Sequence, residues 1–245
     1  MRLHKAISYV RHRTEAARTA PKRHRAVAAP AIGLVLFVTS CAASPVAKPT
    51  AQGLVSIQSA VTCPATPAHV AVPDPPRHFA SAPRLVLTHD IGYCAFIDTT
   101  GGVIAIRLRP EYAPNAVADF ISLARQGFYD GLPFFQTCPG TTGPACPAGG
   151  SFALTGAPSA GIDSAGYTIP SDPVVGDYLF GSVAMYGTDP SKIGSEFFLS
   201  TGDSHTLARR YDIFGQVTDG IPALATLRTG DTVVWIAIVV TAPEP

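Results

Sequence analysis

The most reactive side chains in this sequence belong to its five cysteines. Four of them, Cys63, Cys94, Cys138 and Cys146, follow an apolar N-terminal segment. Zinc binding is disfavoured, because these cysteines form no CxxC pair and no histidine lies near residues 138–146. An even number of cysteines is typical of disulfides in an oxidising compartment, and four cysteines allow three pairings. We favour Cys63–Cys94, which would tie a linker to a strand, together with Cys138–Cys146, which would close a short loop.

The fifth cysteine, Cys41, ends a segment that resembles an export signal. Residues 1–40 contain eight Lys and Arg but one Glu, and an apolar run from Ala26 to Val38 follows the basic part. That run is too short to span a bilayer as a stable helix. The four residues ending at Cys41 resemble a bacterial lipobox, in which the cysteine is lipidated and becomes the first mature residue. The alternatives are an uncleaved anchor and ordinary signal cleavage near Ala42-Ala43; all three place the remaining chain outside the cytoplasm.

Charge and composition narrow the class of protein. The residues after position 40 hold ten basic and sixteen acidic side chains, and this acidic balance argues against nucleic acid as a partner. Apolar residues make up 47% of the chain, with 23 prolines and 22 glycines. This combination favours a turn-rich β fold with a substantial core over a helical bundle.

The chain divides into three predicted parts. Residues 1–40 are the signal, and residues 41–86 are rich in Pro, Ala, Ser and Thr. Such a composition buries too little apolar surface to order itself, which predicts an extended tether. The folded domain is expected over residues 87–245, and we take it to be a monomer by default.

Within that domain, turn residues and periodicity predict mostly strands and two helices. Two strand-like runs are joined by Thr99-Thr100-Gly101-Gly102, which is typical of a hairpin. Pro114 suits the first turn of a helix, and Gly127 is a typical stop. A second helix is predicted over Ile221–Arg228. Further strands are predicted at Pro133–Thr137, Ser151–Leu154, Tyr178–Met185, Glu196–Ser200, Tyr211–Val217 and Thr232–Val240.

The run Gly202-Asp203-Ser204-His205 has the residue types of a nucleophilic hydrolase site. However, no histidine follows His205 to act as the base, and no Gly-x-Ser-x-Gly turn surrounds the serine. We therefore expect Ser204 and His205 to cap a loop before Leu207.

Six short motifs in a fixed order carry a family resemblance over residues 93–241. They are the hairpin with Ala113-Pro114, Gly127–Gly131, Gly166–Pro170, Gly181–Met185, Gly194–Phe198 and Tyr211–Gly215. Together they resemble a cyclophilin, the β-barrel class of peptidyl-prolyl isomerase. The resemblance implies an all-β fold, a closed eight-stranded antiparallel barrel capped by two helices.

The resemblance also implies a groove that binds an extended Xaa-Pro segment. Phe152, Phe198 and Leu207 match the proline pocket of the family, and Tyr211 matches a ring at its rim. Phe134, in the run that precedes the catalytic position, is also expected by resemblance to bind the proline peptide. Rotation about the amide bond needs no metal and no cofactor, so neither is expected. The expected partners are proline-containing peptides or unfolded secreted proteins.

Three polar positions of this groove differ from the family pattern. The family places an arginine that donates to the proline nitrogen where this sequence has Gln136. A glutamine of the family aligns with Thr155, and another aligns with Glu196. A glutamine amide donates a hydrogen bond but carries no charge. Arg107 and Arg125 are the alternative cations that would have to reach the groove.

Two functions therefore remain open. The first is an extracytoplasmic prolyl isomerase that assists the folding of secreted proteins, with weak activity. The second is a catalytically inactive module of the same fold that holds proline-containing segments. Gln136 is the sequence feature on which the two interpretations separate.

Overall fold

The structure is a computed structural model that describes residues 63–241 except 71, 83, 89–90, 141–145, 147–148 and 160–164. All described residues belong to one compact unit, Ser56–Pro245. The predicted signal, Cys41 and the first part of the predicted tether lie outside them. No helix within the described residues is long and apolar enough to cross a membrane.

Ten strands and two helices follow one another along the described chain. In chain order they are β1 (Gly92–Thr99), β2 (Gly102–Leu108), α1 (Pro114–Arg125), β3 (Gln136–Gly140), β4 (Gly150–Thr155), β5 (Ile169–Pro170), β6 (Ser182–Met185), β7 (Lys192–Ile193), β8 (Phe197–Ser200), β9 (Ile213–Asp219), α2 (Ile221–Thr226) and β10 (Val233–Thr241). Eight of the strands form one sheet in the order β10-β1-β2-β9-β6-β8-β4-β3, and β5 pairs separately with β7. Every neighbouring pair is antiparallel.

The first hairpin forms at the predicted turn. Thr99 lies opposite Gly102, and its hydroxyl donates to the Gly102 carbonyl at 2.7 Å. Gly102 has φ +122°, a conformation that residues with a Cβ rarely adopt. The hairpin predicted from Thr99–Gly102 is therefore confirmed, with its register set by the turn.

The two edge strands of the sheet are joined near one end. Pro133 and Thr232 form an isolated antiparallel bridge. The amide of Phe134 donates to the carbonyl of Asp231 at 2.7 Å, and main-chain bonds between residues 131–132 and Val233 continue this contact. The expected eight antiparallel strands and two helices are confirmed. The ends of the sheet meet through this short bridge rather than through a ladder between β3 and β10.

Both helices pack against the apolar core of the sheet. Helix α1 begins at Pro114 as predicted and buries Val117, Phe120, Ile121 and Ala124. Helix α2 was predicted to reach Arg228 but ends at Thr226, because Leu227 already has the extended angles φ −55° and ψ 133°. The main core joins these helices to the interior face of the sheet around four rings, Phe120, Tyr129, Phe197 and Phe214.

Three predicted strands begin later than expected. The strand predicted at Pro133–Thr137 starts at Gln136, since the Phe134 amide bonds the Asp231 carbonyl instead of β4. The strand predicted at Tyr178–Met185 starts at Ser182, and the one predicted at Tyr211–Val217 starts at Ile213. For the latter two strands, the reason is a contact between the two loops. The Tyr178 hydroxyl accepts from the Tyr211 amide at 2.9 Å and donates to the Tyr211 carbonyl at 3.1 Å, so these main-chain groups bond a side chain instead of a neighbouring strand.

The described part of the predicted tether contains no helix or strand, yet it packs on the domain. Cys63 is disulfide-bonded to Cys94 of β1, and the ring of His69 stacks on Trp235 of β10 at 4.8 Å. Further along, the Phe79 amide donates to the Ala165 carbonyl at 2.9 Å. Composition alone does not reveal such long-range contacts. The domain boundary at residue 87 remains a prediction.

Candidate functional site

Strand register places Gln136 beside the predicted pocket. Gln136 lies opposite Leu154, Leu154 opposite Phe198, and Phe198 opposite Ala184. Directly opposed residues on antiparallel strands point to the same face of a sheet. These four side chains therefore form one row across β3, β4, β8 and β6, which we call the groove face.

A second row on the same face lies two residues away. Cys138 is opposite Phe152, and Phe152 is opposite Ser200. Residues in between, such as Ala153 and Leu199, face the other side and pack into the main core. The alternation shows that Gln136, Phe152 and Phe198 share a face that is separate from the barrel interior.

The predicted pocket residues form one aromatic cluster on this face. The Phe198 ring lies 5.3 Å from that of Phe152 and 5.4 Å from that of Tyr211, measured between centroids. Leu207 packs in the same cluster. Offset and edge-on ring pairs at these distances stabilise each other by about 0.5–1.5 kcal/mol beyond area burial. The structure thus brings together four of the residues predicted from the family resemblance.

Two further tyrosines of the cluster were missed by the sequence analysis. Tyr178 packs its ring 5.8 Å from Phe198, and Tyr186 stacks on Tyr211 at 5.3 Å with an interplanar angle of 19°. Tyr186 follows β6, and since Ala184 is on the groove face, the two-residue alternation of a strand could have placed Tyr186 there. Tyr178 lies in a loop that carries no periodic signal.

The rings of the cluster cover one another almost completely. Phe198 is 1% exposed and Phe152 8%, while Tyr186 at the rim is half-buried. A proline ring that enters the cluster must therefore displace one of the protein's own side chains. Tyr186 is the ring best placed for such a displacement, because it is the least buried member of the aromatic stack.

Two predicted groove residues lie elsewhere. Thr155 is opposite Phe197, which puts it on the interior side, and its hydroxyl donates to the Pro133 carbonyl at 2.9 Å. Phe134 is fully buried in the main core rather than in the cluster. A shift of one residue along a strand changes the face of a side chain, and the family alignment did not resolve it.

The charges around the groove differ from those of an arginine-bearing site. Gln136 donates its amide to Cys138 Sγ at 3.5 Å. Burial raises the pKa of Tyr186, and the nearby charges of Tyr211 and Glu196 raise it further. The alternative cations are distant along the sheet: Arg107 lies on β2, whose neighbours are β1 and β9, and Arg125 ends α1.

Both favoured disulfides are present. Cys63 pairs with Cys94 and Cys138 with Cys146, each with 5.7 Å between Cα atoms, which confirms the favoured pairing among the three. Cys138 and Cys146 pack in the same cluster as Phe152. The second disulfide therefore holds the start of the 138–150 insertion against the groove face. No group of three or more possible metal ligands occurs among the described residues.

The hydrolase-like run forms a structural turn. Ser204 Oγ accepts from the Ser151 amide at 2.7 Å, and the Leu207 amide donates to the Ser204 carbonyl at 3.1 Å. Asp203 accepts from the Phe180 amide at 2.9 Å. These contacts hold Ser204 against the backbone of β4. A structural role therefore accounts for Asp203 and Ser204.

Comparison with known proteins identifies the family. The family described as "Cyclophilin type peptidyl-prolyl cis-trans isomerase/CLD" matches residues 95–240. A peptidyl-prolyl cis-trans isomerase of Synechococcus elongatus is 32% identical over 151 residues, which cover 60% of this chain and 97% of that protein. Peptidyl-prolyl cis-trans isomerase B of Bacillus subtilis is 33% identical over 139 residues, covering 56% of this chain and 90% of that one.

A solved structure agrees in fold. A cyclophilin-type peptidyl-prolyl cis-trans isomerase from Cryptosporidium parvum superposes with a TM-score of 0.50 and 21% identity, covering 61% of this chain and 98% of that chain. The family match spans the strands, both helices and the aromatic cluster described above. This chain belongs to the cyclophilin-type peptidyl-prolyl cis-trans isomerase family.

Proposed function

We propose that this protein is an extracytoplasmic cyclophilin-type isomerase that binds Xaa-Pro segments of unfolded secreted proteins and turns them over slowly. The proline ring is bound by Phe152, Phe198, Leu207 and Tyr211, which lie together on the groove face. The observation that carries the proposal is the position of Gln136 in the same row as Phe198. A polar side chain next to the proline pocket is where the family places its catalytic arginine.

The reaction is rotation about an amide bond with a barrier of about 20 kcal/mol. A donor aimed at the proline nitrogen stabilises the twisted transition state, in which amide resonance is lost, more than the planar ground state. The Gln136 amide supplies such a donor without charge. Charge-assisted hydrogen bonds exceed neutral ones by about 1–2 kcal/mol, and more where water is excluded. A loss of about 1–2 kcal/mol slows turnover by about 5- to 30-fold, and the roughly 3–4 kcal/mol expected where water is excluded slows it by about 10²–10³-fold.

Glu196 is a second departure from the family pattern, at the rim of the cluster. Its carbonyl accepts from the Tyr186 amide at 2.8 Å, which fixes its backbone at the rim of the cluster. A carboxylate accepts hydrogen bonds but donates none, whereas the glutamine expected there offers two donors to a peptide carbonyl. Binding of the substrate backbone is weakened at this position, while the apolar contacts are kept.

Location outside the cytoplasm is supported by the two disulfides, which persist in oxidising compartments. The basic and apolar residues 1–40 and the lipobox ending at Cys41 fit an exported chain held by a lipid. In this proposal the predicted tether joins the anchor to the domain, and its described residues contact the domain from Cys63 onward. The protein acts as a monomer, without nucleic acid, metal or cofactor.

The test compares isomerisation rates of the purified chain on a proline peptide by exchange NMR, which needs no coupling protease. We expect turnover two or more decades below that of an arginine-bearing family member. Gln136→Arg should raise the rate, and Gln136→Arg with Glu196→Gln should raise it further, since Glu196 no longer competes for the guanidinium. Gln136→Ala is the matched control and should lower it. Full family rates in the unmodified chain would refute the assignment of Gln136.

The second candidate is an inactive module that holds proline-containing segments. This candidate is supported by the same two features, the aromatic cluster that can bind proline and the uncharged Gln136 beside it. Measurable peptide binding with no isomerisation above background, in both the unmodified chain and the double variant, would favour this candidate. Absence of binding in both would exclude the two candidates together.

A further inference from the structure

Two adjacent arginines lie at the rim of the aromatic cluster, and they differ in their partners. Arg209 donates to Asp177 at 2.7 Å, so its charge is neutralised. Arg210 is exposed, and among the described residues no carboxylate forms an ion pair with it. Within the described part of the chain, Arg210 is therefore a positive charge at this rim without a carboxylate partner.

The position of Arg210 is fixed by the cluster itself. Its amide donates to the Tyr178 hydroxyl at 3.1 Å, and Nη2 donates to the Tyr211 hydroxyl at 3.0 Å. Its Cζ lies 5.0 Å from the centre of the Tyr211 ring. The guanidinium is thus held over an aromatic face on one side and is open to solvent on the other, which lowers the entropy lost when an anion binds.

The distance from the Arg210 guanidinium to the proline pocket decides which residues of a bound peptide can contact this arginine. Tyr211 contacts Phe198 at 5.4 Å, so the guanidinium lies within about 10 Å of the Phe198 ring. An extended chain advances about 3.3–3.6 Å per residue. A side chain within about three residues of a proline bound on Phe198 can therefore reach Arg210.

We propose that Arg210 determines specificity by selecting proline segments that carry an acidic residue within three positions of the proline. This inference rests on the proposed function, since it assumes that the cluster binds proline. Glu196 also lies near Tyr186, and its carboxylate disfavours an acidic residue bound beside it. The preference therefore depends on position: an acidic residue is favoured where it reaches Arg210 and disfavoured where it lies beside Glu196.

The test measures dissociation constants of the purified full chain by fluorescence anisotropy. One labelled peptide contains a single proline flanked by glutamines. Six others each carry Glu in place of one glutamine, one to three residues before or after the proline. We expect at least one Glu peptide to bind about two- to fivefold more tightly than the glutamine peptide at low salt, as for an exposed ion pair, with the gain lost in about 0.5 M salt.

Matched variants assign the effect to one residue. Arg210→Gln should bring the ratio of the two dissociation constants to one, whereas Arg209→Gln combined with Asp177→Asn should leave the ratio unchanged, because this ion pair carries no net charge. Arg210→Lys keeps the positive charge. It should therefore keep most of the difference between the two dissociation constants, even if the hydrogen bond to the Tyr211 hydroxyl is lost. Equal affinity for all seven peptides in the unmodified chain, or an equal loss in Arg210→Gln and in Arg209→Gln with Asp177→Asn, would overturn the inference. Absence of binding to any peptide would instead overturn the proposed function and this inference with it.

Discussion

Asp119 offers the sharpest test of the energetics of this fold. It lies on α1, is 3% exposed, and its Oδ1 accepts a hydrogen bond from the Tyr167 hydroxyl at 2.5 Å. Its Oδ2 has no hydrogen-bond partner within the described part of the chain. Burial raises the pKa of Asp119 to about 6, although the bond from Tyr167 opposes the rise. The folded chain therefore holds this proton more tightly than the unfolded chain does.

The raised pKa of Asp119 changes the free energy of unfolding with a definite sign and over a definite pH range. The ordinary pKa of 3.8 applies to the unfolded chain, so the two states bind the proton equally below that pH and differ as pH rises to about 6. A difference of about two pKa units corresponds to about 3 kcal/mol of lost stability above pH 6. Roughly 2 kcal/mol of this loss falls between pH 4.5 and 7.5 by the same relation.

Asp119→Asn removes the titration and keeps an acceptor for the Tyr167 hydroxyl. The amide group of the new side chain needs a partner of its own, which costs about 1–3 kcal/mol at every pH if none is found. The informative quantity is therefore the change with pH. We expect the variant to gain about 2 kcal/mol relative to the unmodified chain between pH 4.5 and 7.5.

The assay is urea unfolding at 25 °C followed by circular dichroism at the two pH values. Asp219→Asn is the matched control, since Asp219 is exposed and, among the described residues, accepts from the Gly220 amide at 2.7 Å. This control should follow the unmodified chain at both pH values. Asp212, whose pKa is also raised to about 6 by burial, contributes equally to all three proteins and cancels. If Asp119→Asn shows no pH-dependent gain, Asp119 is not a buried ionisable carboxyl in the folded chain.

Three further predictions concern the anchor, the crosslinks and the interior threonine. Cys41→Ser should move the protein from the membrane fraction to the medium or leave it as uncleaved precursor, as judged by fractionation and intact mass; an unmodified mature start elsewhere would refute lipidation. Replacing Cys138 and Cys146 by Ser should lower the free energy of unfolding by about 2–3 kcal/mol, and removing the longer-loop pair Cys63–Cys94 should lower it by about 4. Thr155→Val should cost about 1–3 kcal/mol of stability in urea unfolding, because the Pro133 carbonyl loses its donor, and should leave the affinity for proline peptides unchanged.

Local signals in the sequence were sufficient for much of the fold. The Thr99–Gly102 turn, the start of α1 at Pro114 and its end before Gly127 depend on residues close in sequence, whose backbone preferences act at short range. The disulfide pairing also followed from the sequence, since Cys138 and Cys146 are separated by only eight positions. The order of the motifs identified the family, which the match over residues 95–240 confirms.

The composition of the groove depended on contacts that no local pattern contains. Thr155 turned to the interior because strand register, not family alignment, decides which face a residue takes. Tyr178 entered the cluster from a loop, where its hydroxyl bonds the main chain of Tyr211. Residues after Cys63 docked on β1 and β10 through a disulfide and a stacked ring.

The sequence by itself determined the class of fold and the family, and it showed that position 136 is uncharged. Residue types, turns and the order of motifs can be recognised along the chain without knowledge of tertiary contacts. The tertiary structure alone decided that Gln136 shares a face with Phe152 and Phe198, and that Arg209 is neutralised while Arg210 is not. The physical reason is distance. Charge pairing and ring packing act over a few ångströms in space, between residues that are up to dozens of positions apart in the chain.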